Sequence, residues 1–389
     1  MLKKVFFVLL LIGVILFFAV KWFLDQTHLS PIVSHAILHT EEPQIKNTDG
    51  VTNILLLGIG GGVHDGPNLT DTIILASIDQ KAKKVTLVSI PRDLWVPDLR
   101  AKINTAYSFG EDNGQGKGLI LAKATVQKIL NQPIDYAFRI DFSGFTKAVD
   151  LVGGLDLTVD RTFDDYAYPI EGKEDASCGH SDQEISDWSN EATPSSDLEF
   201  FPCRFMHLHV DKGPQHMDGT TALRYVRSRH ALGPEGSDFS RSKRQQKIIA
   251  AFKDKVFSVQ TLLNPAKLID LYNTLKDSID TDIKQDDYAG FVAVAQKMKS
   301  TKIESVSLDV GEGDRLGLLV NPPISPEFNN AWVLAPRTGG SDFSEVQQYV
   351  TCMLTKGNCI VTETGIGTPT PTPRSATMSA TLSISPKTK

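Results

Sequence analysis

Residues 238–256 read Asp-Phe-Ser-Arg-Ser-Lys-Arg-Gln-Gln-Lys-Ile-Ile-Ala-Ala-Phe-Lys-Asp-Lys-Val, and the rest of the chain is best understood from this segment. The spacing predicts an amphipathic helix with Asp238 as its N-cap. At about 100° per residue, such a helix carries one apolar stripe, formed by Ile248, Ile249, Phe252 and Val256. The segment is therefore expected to pack one face against a core.

The same stripe, continued toward the N-terminus, reaches Arg241 and Gln245, whereas Lys243, Lys247 and Asp254 fall on the opposite face. A buried arginine needs a partner. The N-terminus of a helix, with its unpaired N–H groups, suits an anion. The partner of Arg241 is therefore either an internal carboxylate or a phosphate that a ligand brings in, and this segment alone leaves both open.

Composition limits the classes of protein that fit. The chain has 389 residues, a formal net charge of -6 and 41% hydrophobic residues. This is enough for one large domain or two ordinary ones with a substantial core. The mild acidity argues against general nucleic-acid binding, which usually needs a basic surface.

The N-terminus has the pattern of a membrane anchor. Lys3 and Lys4 precede an apolar run at 5–20, which Trp22 and its neighbours extend. The run is about long enough to cross a bilayer. A cleaved signal peptide is the alternative, but no small-x-small cleavage site follows, which favours a retained transmembrane helix within residues 1–25. The leading lysines predict a single-pass protein of the cell membrane with a cytoplasmic N-terminus and an extracytoplasmic domain.

The chain has four cysteines, and disulfides between them would be stable in the predicted extracytoplasmic location. One pair brackets a polar segment and the other lies near the end of the folded part, so the simplest connectivity is Cys178–Cys203 and Cys352–Cys359. Other pairings and free thiols stay open. A metal site is weakly indicated, because no C-x-x-C spacing occurs.

Apolar runs and helical periodicity predict the order of the elements after a stalk at 26–51. Strands are expected at 53–58, 71–78, 85–90, 136–140, 155–159, 303–310 and 332–334. Helices are expected at 119–130, 142–151, 218–226, 267–275 and 288–298. This order predicts an α/β (α+β) fold, with a central mixed β-sheet flanked by helices in a three-layer arrangement.

Two segments depart from the predicted domain at 52–360. Residues 163–217 have no steady period and are interpreted as an insertion that Cys178–Cys203 holds. Zinc would suit its histidines, since His207 and His209 would point to one side of a strand, but no motif positions a third ligand. The other two histidines of this segment are His180 and His216. Residues 361–389 are rich in Thr, Ser and Pro and are expected to be a disordered tail.

Charged side chains are expected to meet at the ends of the buried strands. Arg92 follows one strand, and Asp71 opens another after a glycine-rich loop. Arg227 and Arg229, in an extended segment, project to the same side as each other. Arginine matches phosphate oxygens in a bidentate way. A carboxylate such as Asp71 repels phosphate unless Mg²⁺ bridges the two.

Each of these residues also has a purely structural interpretation. Asp71 could cap a turn or pair with Arg92, and Arg227 and Arg229 could belong to a solvated basic face. The glycines after Leu57 could form a simple turn, and they are no Walker loop because no Gly-Lys-Ser/Thr follows. Only the combination indicates a phosphate site.

The combination resembles the LytR-CpsA-Psr proteins of bacterial envelopes. The resemblance extends over roughly residues 52–354 and includes the single N-terminal anchor. It is carried by motifs in a fixed order: Thr70-Asp71-Thr72, Ser89-Ile-Pro-Arg92-Asp93, Lys102-Ile-Asn104-x-Ala106-Tyr107, Val149-Asp150-x-x-Gly153-Gly154, Asp218-Gly219-x-x-Ala222-Leu223-x-Tyr225-x-Arg227-x-Arg229 and Asp238-x-x-Arg241-x-x-Arg244-Gln245.

The resemblance implies an extracytoplasmic phosphotransferase. Such a domain holds a polyprenyl tail in an apolar pocket and moves a glycopolymer from its polyprenyl-pyrophosphate carrier to an acceptor such as peptidoglycan, with Mg²⁺ (or Mn²⁺). Carried over by position, Asp71 matches a metal ligand, and Arg241 matches an arginine near the site. The residues that match the catalytic pyrophosphate clamp are Arg92, Arg227, Arg229 and Gln245.

Two positions depart from the family pattern. Gly60 stands where an aspartate is usual, which removes a carboxylate expected near the metal. Leu69 stands where an arginine is usual, which removes a charge implicated in catalysis or clamping. Asp65, in the same loop as His64, is the candidate replacement for the missing metal ligand.

Three other functions remain open at this point. The same site could hydrolyse a polyprenyl pyrophosphate, or it could bind the lipid carrier without turnover. An envelope-linked transcriptional regulator is the third, and the predicted topology argues against it because few residues remain in the cytoplasm.

Overall fold

The computed structural model of the chain describes residues 45–62, 66–191, 197–256, 275–298 and 300–368. The predicted anchor at 1–25, most of the stalk, Asp65, and the predicted helix at 267–275 except its last residue lie outside this description. Within it, no helix combines the length and the apolar composition that a membrane crossing requires.

A six-stranded mixed sheet forms the centre of the fold. Its spatial order is β11-β6-β1-β2-β3-β12, with β1 parallel to β6, β3 parallel to β12 and the other neighbours antiparallel. Its strands are β1 (Val51–Ile59), β2 (Thr70–Asp79), β3 (Lys84–Ile90), β6 (Tyr136–Asp141), β11 (Ile279–Thr281) and β12 (Ile303–Ser307).

The remaining strands form two-stranded sheets around this centre. They pair as β4 (Trp95–Val96) with β5 (Ala101–Lys102), β7 (Leu155–Val159) with β10 (Gly213–Met217), β8 (Phe163–Pro169) with β9 (Phe205–Val210), β13 (Gly311–Glu312) with β14 (Arg315–Leu316), β15 (Leu319–Val320) with β16 (Ala335–Pro336), and β17 (Ile360–Thr362) with β18 (Gly365–Gly367).

The helices that the structure describes are α1 (Thr105–Asp112), α2 (Lys117–Leu130), α3 (Phe142–Leu151), α4 (Asp182–Glu191), α5 (Asp197–Phe200), α6 (Gly219–Arg227), α7 (Asp238–Val256), α8 (Tyr288–Lys297) and α9 (Ser344–Thr355). Short 3₁₀ turns occur at Pro202–Arg204, Gly233–Gly236, Gln285–Asp287 and Pro326–Phe328.

Alternate residues of the central strands face opposite layers. Leu55 and Leu75 pack with α2 and α9 on one face, whereas Ile74 and Leu87 pack toward Ile249 of α7 on the other. This alternation is what an extended strand imposes. The predicted central mixed sheet flanked by helices is therefore confirmed.

The segment 163–217, which has no steady period in the sequence, contains the paired strands β8 and β9, which we call the β8–β9 hairpin. Its strands are antiparallel, with Asp164 opposite His209, and the pairing shifts between Asp165 and Tyr168. Both predicted disulfides, Cys178–Cys203 and Cys352–Cys359, are present.

The predictions for the C-terminal region need correction. The strand expected at 332–334 is absent, and the short strand β16 follows it. The tail expected to be disordered from 361 begins with the β17–β18 hairpin, because Val361 and Ile366 pack against the main core. Helix α9 was not predicted from the sequence, although its Val346 and Val350 are fully buried, as expected for the apolar face of a helix.

Candidate functional site

The central sheet brings four strand ends to one edge. Ile59, at the end of β1, pairs with Thr70 at the start of β2 and with Asp141 at the end of β6. Ile73 of β2 pairs with Ile90 at the end of β3. Residues that follow β1, β3 and β6, or that open β2, therefore lie side by side at this edge, which we call the charged edge.

Asp71 and Arg92 form an ion pair at the charged edge, in which Arg92 Nη1 donates to Asp71 Oδ1. Their side chains are 40% and 27% exposed, so solvent or a ligand can reach the pair. Arg92 Nε lies 3.4 Å from Asp93 Oδ2, too poorly aligned for a hydrogen bond. This buried N–H therefore finds no acceptor among the described residues. Burial lowers the pKa of the Arg92 guanidinium, but the two carboxylates outweigh burial and raise it.

Asp93 follows Arg92 in the chain, and Arg229 is close enough to affect the pKa of its carboxyl. Burial raises the pKa of its carboxyl, but the hydrogen bond from Lys102 and the charges of Arg92 and Arg229 together lower it. Lys102 Nζ lies 2.7 Å from Asp93 Oδ1. Arg229 is thus within electrostatic reach of the residue that follows Arg92.

Helix α6 ends at Arg227, and the chain continues extended through Ser228, with φ -52° and ψ 127°. The fully buried carboxylate of Asp165 holds this turn in place. Its Oδ2 accepts from Ser228 Oγ at 2.7 Å and from the backbone N–H groups of Arg229 and His230, each at 3.2 Å. Sequence reasoning missed Asp165, because it lies in the segment that seemed irregular.

Arg227 lies over the residue that follows β6. Its Cζ is 4.2 Å from the ring centroid of Phe142 and 6.0 Å from that of Tyr168. Stacking of this kind uses the face of the guanidinium and leaves its N–H edge for other partners. Together with Lys147 and Arg224, Arg227 lines a cavity of about 480 Å³ beside α3 and α6.

Helix α7 spans Asp238–Val256 as predicted, and its Gln245 reaches the charged edge. Gln245 Nε2 donates to Thr72 Oγ1 at 3.0 Å, next to Asp71. Arg241 is buried, in agreement with the predicted stripe. The N-cap lies one residue before the predicted Asp238, because the hydroxyl of Ser237 accepts from the backbone N–H of Ser240 at 3.2 Å.

Arg244 of α7 is buried and forms hydrogen bonds with backbone carbonyls and with a glutamate. It is 2% exposed, and it donates to the carbonyls of Tyr225 (2.9 Å) and Ser228 (2.6 Å) and to Glu235 (3.0 Å to Oε2). Burial lowers the pKa of the Arg244 guanidinium, the charge of Arg241 lowers it further, and Glu235 opposes both. Arg244 therefore has an internal carboxylate partner of the kind considered for Arg241.

Arg139 is a further cation at the charged edge, and it was not predicted from the sequence. Arg139 lies on β6 opposite Leu57 of β1. Its Nε donates to Tyr107 Oη at 3.3 Å, and its Nη1 lies 3.9 Å from Asp141 Oδ2. The available signal was an arginine one residue before the end of a predicted buried strand, a position that requires a polar neighbour.

The donor set at the charged edge fits one hard divalent cation. Mg²⁺ in phosphate sites takes one or two carboxylates, and substrate phosphates and water complete its shell. Asp71 supplies one half-exposed carboxylate beside the arginines. Asp141 occupies the space next to the glycine loop, since a Cβ on Gly61 would lie 2.8 Å from Asp141 Cβ. Asp65, the other predicted ligand, lies outside the described residues.

Comparisons with known proteins agree with the motifs. The family model described as the LytR_cpsA_psr family matches residues 28–321. The chain is 28% identical over 300 residues to "Polyisoprenyl-teichoic acid--peptidoglycan teichoic acid transferase TagU" of Enterococcus faecalis, covering 73% of this chain and 81% of that protein. It is 27% identical over 263 residues to the transferase of the same description, TagV, of Bacillus subtilis, covering 66% of this chain and 56% of that protein.

A solved structure shares the fold. The crystal structure of Bacillus subtilis TagV aligns with a TM-score of 0.51 at 24% identity, covering 79% of this chain and 98% of that one. At this level of identity the likeness concerns the arrangement of the sheet and helices.

Proposed function

The chain belongs to the LytR_cpsA_psr family, and from this premise we propose that it is a phosphotransferase of the cell envelope. It moves a glycopolymer from a polyprenyl-pyrophosphate carrier to an envelope acceptor such as peptidoglycan. The TagU and TagV relatives are described as teichoic acid transferases that act on a polyisoprenyl-linked polymer. A teichoic-acid-type polymer is therefore the first class of substrate to test.

One observation carries the proposal. The buried Nε of Arg92 makes no well-aligned hydrogen bond among the described residues, with Asp93 Oδ2 at 3.4 Å, and it lies at an edge where arginines approach from separate elements. A buried donor without an acceptor is costly, so such groups mark places where a ligand supplies the acceptor. The oxygens of a pyrophosphate satisfy this donor and neutralise the neighbouring guanidinium groups.

The residues take different roles in the transfer. Arg92, Arg227 and Arg229 bind the pyrophosphate and stabilise the negative charge that grows on the leaving polyprenyl phosphate as the acceptor hydroxyl attacks. Gln245 donates from α7 on the same side. Arg241 adds positive charge from the first turns of that helix.

A divalent cation belongs to the same proposal. Asp71 would hold Mg²⁺ or Mn²⁺ against the phosphates, with Asp65 as the candidate second ligand. The ion supplies charge neutralisation at the pyrophosphate when it is bound. Arg92 already pairs with Asp71, so the divalent ion and the Arg92 guanidinium would both contact the Asp71 carboxylate.

The polyprenyl tail is proposed to lie along the α7 face of the sheet. Several apolar side chains there are only partly buried, including Leu56, Ile249 and Ile303. Partly exposed aliphatic groups next to a charged edge suit a ligand with a hydrocarbon tail and a phosphate head. Membrane attachment through residues 1–25, with the domain outside, is the corresponding proposal for location.

The test is a reconstituted transfer reaction. The full chain, purified in detergent, is mixed with a polyprenyl-pyrophosphate-linked glycan, Mg²⁺ and peptidoglycan fragments. The expected result is glycan covalently attached to the fragments and release of polyprenyl phosphate, both abolished by EDTA.

Two other outcomes decide between the alternatives. Released polyprenyl phosphate without any attached glycan, in the presence of acceptor, would identify a hydrolase. Co-purified lipid with no turnover would identify a carrier-binding protein.

A further inference from the structure

The outer face of the β8–β9 hairpin carries a cluster of metal-binding side chains that is separate from the charged edge. The sequence placed His207 and His209 on one side of a strand but offered no third ligand. The structure supplies it from the neighbouring strand, because Asp164 of β8 lies directly opposite His209.

The three side chains converge on one point. His207 Nε2 and His209 Nδ1 each lie 2.7 Å from the same oxygen, Asp164 Oδ1. The three ligand atoms all lie within 4.8 Å of one another. Residues two apart on a strand point the same way, and the register brings the carboxylate between them. Small shifts of the rings therefore let one ion replace the shared contacts.

Neighbouring groups orient both rings. Asp211 Oδ1 lies 3.2 Å from His209 Nε2, the ring nitrogen that does not face Asp164. The ring of Tyr166 stacks on His207 with 4.2 Å between centroids. Ligating histidines commonly have their second nitrogen hydrogen-bonded to a carboxylate, which fixes the ring and raises its basicity.

The donor chemistry selects the class of ion. Two imidazoles and one carboxylate suit zinc and related transition metals, whereas Mg²⁺ prefers oxygen ligands. His207, His209 and Asp164 have side chains 45%, 47% and 31% exposed, so water can complete a fourth position. We propose that these three residues bind one divalent transition-metal ion of the zinc class, distinct from the cation at the charged edge.

The site lies next to a structural support of the charged edge. The carbonyl of Asp164 accepts from the backbone N–H of Leu232, and the next residue, Asp165, holds the turn at Ser228. An ion that joins β8 to β9 at Asp164 therefore stiffens the strand that positions Arg229. Binding is expected to stabilise this hairpin against local unfolding.

The test is a metal titration of the full chain in detergent after its metals are removed with EDTA. Zn²⁺ is followed by calorimetry and Co²⁺ by its visible absorption. One equivalent is expected to bind, and millimolar Mg²⁺ is expected not to displace it. His207→Gln and His209→Gln should each weaken binding by at least about tenfold, since loss of even an outer partner typically costs 10–100-fold.

His216→Gln is the matched control. His216 is exposed and lies 2.7 Å from a single carboxylate, that of Asp156, with no second histidine in that pair. This variant should bind as the native chain does. Asp164→Asn, which keeps the size of the side chain, provides a second ligand variant, and an unchanged circular dichroism spectrum shows that each variant has folded.

Two results would overturn the proposal. One is a native chain that binds no more tightly than a folded His207→Gln/His209→Gln double variant. The other is an equal loss of binding in His216→Gln, which would place the ion elsewhere among the nine histidines of the chain.

Discussion

Ser228 and Asp165 form a hydrogen bond in which both side chains are fully buried, with 2.7 Å between Ser228 Oγ and Asp165 Oδ2. The same carboxylate oxygen accepts from the backbone N–H groups of Arg229 and His230. The β8–β9 hairpin is thus part of the structure that sets the position of the arginine segment. The segment interpreted from the sequence as an insertion therefore supports the candidate site.

Asp165→Ala should lower the free energy of unfolding by about 2–4 kcal/mol. The change leaves a buried hydroxyl and two amides without their shared acceptor, and hydrogen bonds to charged groups contribute about 1.5–3 kcal/mol each. Urea denaturation of the purified protein measures the loss. Asp112→Ala, at an exposed position, serves as the control. A loss below about 0.5 kcal/mol for Asp165→Ala would show that the turn does not depend on this carboxylate.

Arg92→Ala should reduce glycan transfer by at least about 100-fold and leave the fold intact, because Arg92 is partly exposed at the charged edge and is proposed to bind the phosphates. Arg92→Lys should recover only part of the activity, since lysine lacks the bidentate geometry. The transfer assay gives the rates, and circular dichroism checks the fold. Arg161→Ala, at an exposed arginine, is the control. Transfer at the native rate by Arg92→Ala would remove Arg92 from the site.

Arg244→Ala should act on stability rather than on chemistry. Arg244 is almost completely buried and holds two carbonyls and Glu235, and breaking a buried ion pair by removing one partner costs about 3–5 kcal/mol. Thermal and urea unfolding measure this loss. The double variant Arg244→Met/Glu235→Gln should be more stable than Arg244→Ala, since it removes the uncompensated carboxylate. If Arg244→Ala unfolds like the native chain but loses transfer, the arginine has a direct role instead.

Asp93 should contribute to stability above its ordinary pKa and lose that contribution in acid. Burial raises the pKa of its carboxyl, but Lys102, Arg92 and Arg229 lower it below the ordinary value of 3.8. A group with a lowered folded pKa stabilises the fold above the unfolded pKa and loses this effect as pH falls toward the folded pKa. Between about pH 5 and about pH 3, the free energy of unfolding should therefore fall less for Asp93→Asn than for the native chain. Equal falls, measured with urea at both pH values, would contradict the ion-pair assignment.

The sequence predicted the parts of the fold that depend on local pattern. Continuous apolar runs located β1, β2 and β3, and helical periodicity located α7 with its buried Arg241. The charged edge was predictable because Asp71 and Arg92 directly flank such runs. These features follow from periodicity and strand ends, which need no knowledge of distant contacts.

Other features depend on contacts between distant segments. The β8–β9 hairpin is stabilised by a carboxylate that reaches the turn after α6, and no local period reports such a bond. Helical geometry placed Arg241 and Gln245 on the apolar face of α7, but only the position of Glu235 shows that Arg244 has an internal carboxylate partner. The C-terminal hairpin is ordered by two apolar contacts with the main core, which a Thr-rich composition conceals.

Strand β1 separates the point where the described chain begins from the charged edge. Ile45 packs beside Tyr136 near the amino end of β1, and the arginines lie past its carboxyl end. Nine strand residues extend about 30 Å at about 3.3 Å per residue. The chain therefore enters the described fold at the opposite end of the sheet from the arginines, about one strand length away from them.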